Sequence, residues 1–208
     1  MDKEYYLLDG DERTGPFTYR ELVQKGMDVH TQLSTPLSDK WQYASEMPEF
    51  IEYFKSQGIF FPTGDNLANF GIKAGAFIID FLLLSIPLDI LFVKMGWMHI
   101  PQNGELFEMP PQSEMLQLQL CFSVVFLIYN TTLELSGLKG SLGKKMCRLI
   151  VVDIDGQKLS FIQALGRNLG ALFSLIILSG LPFLTMLFNE HRQNWYDSLA
   201  KTYVVKTN

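Results

Sequence analysis

Three apolar stretches, at residues 70–93, 115–135 and 169–188, limit what this chain can fold into more than any other feature. Each approaches the roughly twenty residues a helix needs to cross a bilayer. Residues 116–133 and 171–188 carry no charged side chain. A soluble helical core is the competing reading, but a small soluble domain needs a polar face on such helices. An all-α polytopic membrane domain of about three apolar helices is therefore expected. Asp80 lies inside the first stretch, seven residues after Lys73, so the two share a helix face. An ionised aspartate near the centre of a span costs roughly 2.5 to 3.5 kcal/mol on insertion scales, so Asp80 should face protein or water.

The average composition hides a division. With 19% charged residues and a net charge of −5, the chain resembles an ordinary soluble protein. The segment before Phe70, however, holds 6 of the 17 Lys and Arg but 12 of the 22 Asp and Glu. We expect a small α+β domain at residues 1–54, a linker at 55–69, and the membrane domain, with a short β element, at 70–208. The first twenty residues contain no apolar core, so no signal peptide is expected and the first domain should be cytoplasmic. Its acidic balance argues against nucleic-acid binding, which needs clustered Lys and Arg.

Loop charge sets the expected orientation. Residues 95–114 lack Lys and Arg, carry Glu105, Glu108 and Glu114, and read as external. Residues 136–168 carry Lys139, Lys144, Lys145, Arg148, Lys158 and Arg167 against Asp153 and Asp155, and read as cytoplasmic. The β-branched runs at 149–152 and 202–205 are strand candidates, with Asp155-Gly156 a turn signal for a hairpin on the first run. Pairing of the two runs would keep the tail inside. Gly180 and Pro182 interrupt the third stretch, where a re-entrant bend is open to the chain.

In the acidic segment, Tyr5-Tyr6, Gly15-Pro16-Phe17, Glu21-Leu22, Gly26, Thr31, Leu33 and Trp41 follow in an order that resembles the GYF-like domain found at the amino terminus of bacterial membrane proteins. The chemistry agrees: Gly15-Pro16 is expected to turn the chain after a strand, and a short helix should follow from about Thr18 to Lys25. The resemblance implies binding of a proline-rich or other protein partner, with Tyr5, Tyr6, Gly15, Pro16, Phe17 and Trp41 as the peptide site. Docking of a polyproline helix on aromatic rings loses little entropy. Packing competes for the same rings, because about fifty residues provide little core.

The second part resembles the RDD family through Lys73-Ala-Gly-Ala-Phe-Ile-Ile-Asp80, Gly140-Ser141-Leu142-Gly143-Lys144, Val151-Val152-Asp153, Arg167-Asn168 and Asp197-Ser-Leu-Ala-Lys-Thr202. Lys73 stands where the family has Arg, which keeps the charge but not the planar fork. Along a straight helix Lys73 and Asp80 are about 10 Å apart, so contact needs a bend in the helix or a third group as a bridge, for which Asp197 and Arg167 are the candidates. These four residues form either a polar network locking the helices or, as the resemblance implies, part of a transport path for a proton or monovalent cation. Transport through so few spans would need a homo-oligomer. Gly71-x-x-x-Gly75 and Gly166-x-x-x-Gly170 permit close helix approach within or between chains.

Other chemistry is weakly supported. Residues 140–145 lack the first glycine and the Ser or Thr of a phosphate-binding loop, and fit a basic segment at anionic headgroups instead. His30, His99 and His191 are scattered, so no metal or cofactor is expected. Cys121 and Cys147 should stay reduced. No nucleophile and base stand together, so enzyme activity is not expected. The expectation is a multi-pass protein of the bacterial cytoplasmic (inner) membrane: an adaptor that collects a protein partner, or alternatively a transporter or ion exchanger using Asp80.

Overall fold

In the computed structural model, residues 3–10, 12–36, 38–98, 111–176 and 185–207 are described. The chain divides into one compact unit of residues 1–61 with 155–157, and a second of 62–154 with 158–208. The first thus extends past the boundary at residue 54 expected from composition.

Unit one is an antiparallel sheet with two short α-helices. Strands β1 (Glu4–Asp9), β2 (Glu12–Thr18), β3 (Gln32–Thr35) and β4 (Ser38–Tyr43) lie in the order β2-β1-β3-β4. Gly15-Pro16 sits inside β2 rather than in a turn after a strand. The pairing shifts there, from Tyr5 opposite Phe17 to Leu7 opposite Thr14. Gly15 has φ 132°. A Cβ on it would lie 2.9 Å from the Tyr5 carbonyl oxygen, so the β-bulge requires glycine. Helix α1 (Tyr19–Lys25) starts where the sequence places it, because Thr18 and Glu21 form a capping box. Helix α2 (Ile51–Ser56) brings Tyr53 and Phe54 onto a core with Tyr5, Leu22, Leu33 and Phe50.

Unit two is built on α3 (Phe70–Lys94) and α4 (Gln112–Glu134), which among the described residues are the two helices long and apolar enough to cross a membrane. On both, large apolar side chains face outward and polar ones are buried towards the start of α3 and the end of α4, while Asp89, Gln117 and Gln119 towards the other end are exposed. Ile78, Ile86, Leu120 and Ile128 are exposed, whereas Asp80, Asn130 and Glu134 are buried. This inversion is the pattern expected when lipid surrounds the helices. Helix α6 (Phe161–Ile176) shares it, with Ile162, Leu169, Phe173 and Ile176 outside and Arg167, Asn168 and Ser174 inside. Part of the third apolar stretch, with Gly180 and Pro182, lies outside the described residues, as does most of the loop read as external.

The short helix α5 (Leu142–Met146) leads into β5 (Leu149–Asp153), which pairs antiparallel with β6 (Thr202–Lys206) from Leu149 opposite Lys206 to Asp153 opposite Thr202. The Asp155-Gly156 turn therefore closes no local hairpin, since the partner strand comes from the far end of the chain. Helix α7 (Trp195–Leu199) precedes β6. Val151, Val204, Ala76 and Ala164 meet in the core of this unit.

Candidate functional site

The polar residues of unit two fall into two clusters, the first centred on Asp80. One helical turn before it, Ala76 presents a smooth surface on which α5 packs. A Cβ on Gly143 would come within 2.2 Å of the Ala76 carbonyl oxygen and 2.8 Å of the Asp80 carboxyl carbon, so only glycine fits. The close approach lets Gly143 N–H donate to Asp80 Oδ1 at 2.7 Å. Ser141, the N-cap of α5, donates from Oγ to Asp80 Oδ2 at 2.5 Å. Tyr129 of α4 donates from its hydroxyl to Oδ1 at 2.7 Å and accepts from Leu142 N–H at 3.0 Å. At 3% exposure, Asp80 is thus satisfied by one donor from α4 and two from the start of α5. It is not bridged to Lys73 by Arg167 or Asp197.

Those three residues meet in the second cluster. Arg167 Nε donates to Asp197 Oδ1 at 2.7 Å, and its Nη1 pairs with Glu134. Lys73 Nζ lies 3.9 Å from Asp197 Oδ2 and donates to the Arg192 carbonyl oxygen at 2.6 Å. Glu134, fully buried, also accepts from Lys144 Nζ at 2.6 Å and Asn168 Nδ2 at 2.9 Å. Asp197 is held at the start of α7 by Asn194 N–H, 3.3 Å from Oδ2. Nearby, burial and then the Asp197 charge push the Tyr196 phenol well above its ordinary range, so it remains protonated. Removing one partner of such a buried set costs roughly 3 to 5 kcal/mol, because the other charge is left uncompensated.

The sequence reading missed Glu134, Tyr129 and Ser141, and assigned Lys144 to the lipid surface although it turns inward. Asn130 and Thr131, four and three residues before Glu134 and so on its helix face, were the available signal. The glycine pairs also differ in use: Tyr196 crowds Gly170, while Gly75 and Gly166 face open space.

In unit one the proposed peptide residues separate. Tyr5 is a core residue, 1% exposed, with its hydroxyl donating to Glu49 at 2.9 Å. It is therefore unavailable to a ligand as the structure stands. Gly15 and Pro16 are exposed. Tyr6 carries the Arg13 guanidinium 3.8 Å above its ring, and Phe17 the Lys25 ammonium at 4.8 Å. Trp41 lies on β4, with β3 between it and Tyr6. A separate open groove of about 630 Å³ is lined by Leu8, Lys25, Met27, His30, Gln32 and Tyr43.

Comparison with known proteins places these findings in a family. The chain is 28% identical over 149 residues to the uncharacterised protein YxaI of Bacillus subtilis (strain 168), covering 66% of this chain and 96% of the relative. It is 26% identical over 141 residues to the uncharacterised protein YckC of the same organism, covering 66% of this chain and 83% of the relative. No solved structure matches. The RDD family matches residues 67–201, a range that takes in both polar clusters and both long apolar helices. The chain is a membrane protein of the RDD family.

Proposed function

We propose that the protein is a membrane-anchored adaptor, whose amino-terminal α+β unit is a GYF-like module that takes a proline-rich segment of a partner on the cytoplasmic side. The observation that carries this reading is the state of Asp80. A carboxylate that exchanges a proton or cation must be able to lose its partners as access alternates. Asp80 instead accepts from three donors, two of them in a loop that glycine alone allows to approach. Such an acid locks helices together, and the membrane unit then serves as an anchor. In the soluble unit, exposed Pro16 and half-buried Tyr6, Phe17 and Trp41 are the surfaces left for a peptide.

Calorimetric titration of the full-length protein in nanodiscs with a set of proline-rich decapeptides tests the reading. Binding that weakens at least about tenfold in Trp41→Ala or Tyr6→Ala is expected, the loss of one aromatic contact worth roughly 1.4 kcal/mol. No binding by folded protein removes the peptide reading. Ion flux in proteoliposomes is expected to be absent, and a flux abolished by Asp80→Asn at matched reconstitution would replace the adaptor with an exchanger.

A further inference from the structure

We propose that the membrane unit holds a neutral, hydroxyl-bearing lipid, such as a long-chain alcohol or acylglycerol, in a cavity between α3 and α6. This goes beyond the adaptor reading and does not depend on it. The cavity has a volume of about 300 Å³, or roughly ten waters' share of liquid volume. Along most of its wall it is apolar, with Ala74, Phe77 and Ile78 on the α3 side and Ala171 and Leu175 on the α6 side. Water is a poor occupant of such a wall, because each molecule needs two to four polar partners. Ile78, which lines the cavity, is 55% exposed on the outer face of a spanning helix. The lining thus extends to the outer face of α3.

Its polar end selects the head group. Lys73, Lys144 and Arg167 line it with Asp80 and Asp197, and Glu134 pairs with Lys144 and Arg167. Three cations balance three anions, so a charged guest would add an uncompensated buried charge costing several kcal/mol. Two groups at this end have hydrogen-bonding capacity to spare. Asn194 also lines the cavity and is 5% exposed, and its Oδ1, which faces the Asp197 N–H as the N-cap of α7, is buried without a well-formed hydrogen bond among the described residues and keeps a lone pair free. Lys73 Nζ spends one N–H on the Arg192 carbonyl oxygen and stands 3.9 Å from Asp197 Oδ2, beyond hydrogen-bond length. Both residues lie beside Asp197, whose Oδ2 accepts from the Asn194 backbone N–H and stands near Lys73 Nζ. An acceptor beside an ammonium suits a hydroxyl, which donates to one and accepts from the other. A carboxylate or phosphate would meet the Asn194 oxygen with like polarity, and a pure hydrocarbon would leave it unsatisfied at a cost of roughly 1 to 3 kcal/mol.

The test is photolabelling of the full-length protein in nanodiscs with three diazirine probes of equal chain length: hexadecanol, hexadecane and palmitate. Labelled positions are mapped by mass spectrometry. Hexadecanol is expected to label residues 74–78 and 171–175 about tenfold more than the other two, as one satisfied buried hydrogen bond predicts. Ala171→Phe, which fills the cavity, is expected to abolish this labelling with the melting temperature unchanged. If that variant does not fold, Ala74→Leu fills it from the opposite wall. Asn194→Ala should remove the preference for the alcohol over the alkane while alkane labelling persists, an outcome that a loss of structure would not produce. Equal labelling by all three probes, a preference for palmitate, or labelling unchanged in the filled variants would each overturn the proposal, leaving only annular lipid or water at the site.

Discussion

Asp80 and Gly143 act as one feature at the scale of the residue. The carboxylate gathers donors from α4 and the start of α5, and the glycine provides the clearance for them to reach it. Asp80→Asn replaces a charged acceptor of three hydrogen bonds by a neutral amide, whose nitrogen can face the Ser141 hydroxyl only if that hydroxyl turns from donor to acceptor, so a destabilisation of about 1 to 3 kcal/mol is expected. Gly143→Ala should lower the melting temperature in detergent as well, since its Cβ would sit 2.2 Å from a carbonyl oxygen. Tolerance of both substitutions would show that this contact locks nothing. In the amino-terminal unit, burial pushes the Glu49 carboxyl up, but hydrogen bonds from its own backbone, Tyr5 and Lys3 outweigh it and hold the group below its ordinary 4.5. Its stabilisation is complete above that ordinary value and is lost as pH falls through the depressed one. Tyr5→Phe removes a donor, so acid opening of the unit should begin at higher pH. Hydrogen–deuterium exchange of residues 3–10 against pH measures this, and an unshifted midpoint would contradict it. The sequence showed that Asp80 must be shielded from lipid, because the cost of exposing a charge there is general. It did not show the shield, because Ser141 and Gly143 lie more than sixty residues away along the chain.

Local chemistry made some elements legible and left others open. Helix α1 was readable because Thr18 and Glu21 satisfy each other within one turn. The role of Gly15-Pro16 was not, since a bulge inside a strand and a turn after one use the same residues. Strand β5 was visible as a β-branched run, but its partner was set by the ladder to β6. Just past α7, Lys201 takes φ 53°, a left-handed conformation that glycine adopts without strain. Lys201→Gly is therefore expected to stabilise the protein by about 1 kcal/mol, read as a higher melting temperature in detergent. A fall instead would mean that the lysine stem contributes packing that outweighs the backbone strain.

For the whole molecule, the β5–β6 ladder has a topological consequence: the basic segment before β5 and the carboxy-terminal strand belong to one side of the membrane. Single cysteines at Lys145 and Lys206, in a chain with Cys121 and Cys147 replaced by serine, should react with an impermeant thiol reagent from the same face of sealed vesicles. Labelling from opposite faces would be incompatible with the ladder. Composition and hydropathy alone determined that a polar, acidic domain precedes a membrane domain with buried charge, because burial costs depend on residue type and run length. Which charges meet was decided by tertiary structure. Glu134 pairs with Arg167, and Lys73 lies beside Asp197, because α3, α4, α6 and α7 converge. Asp80 joins a different cluster because α5 packs on α3. Side-chain reach is only a few ångströms, so pairing among distant positions is settled by backbone packing that no local spacing records.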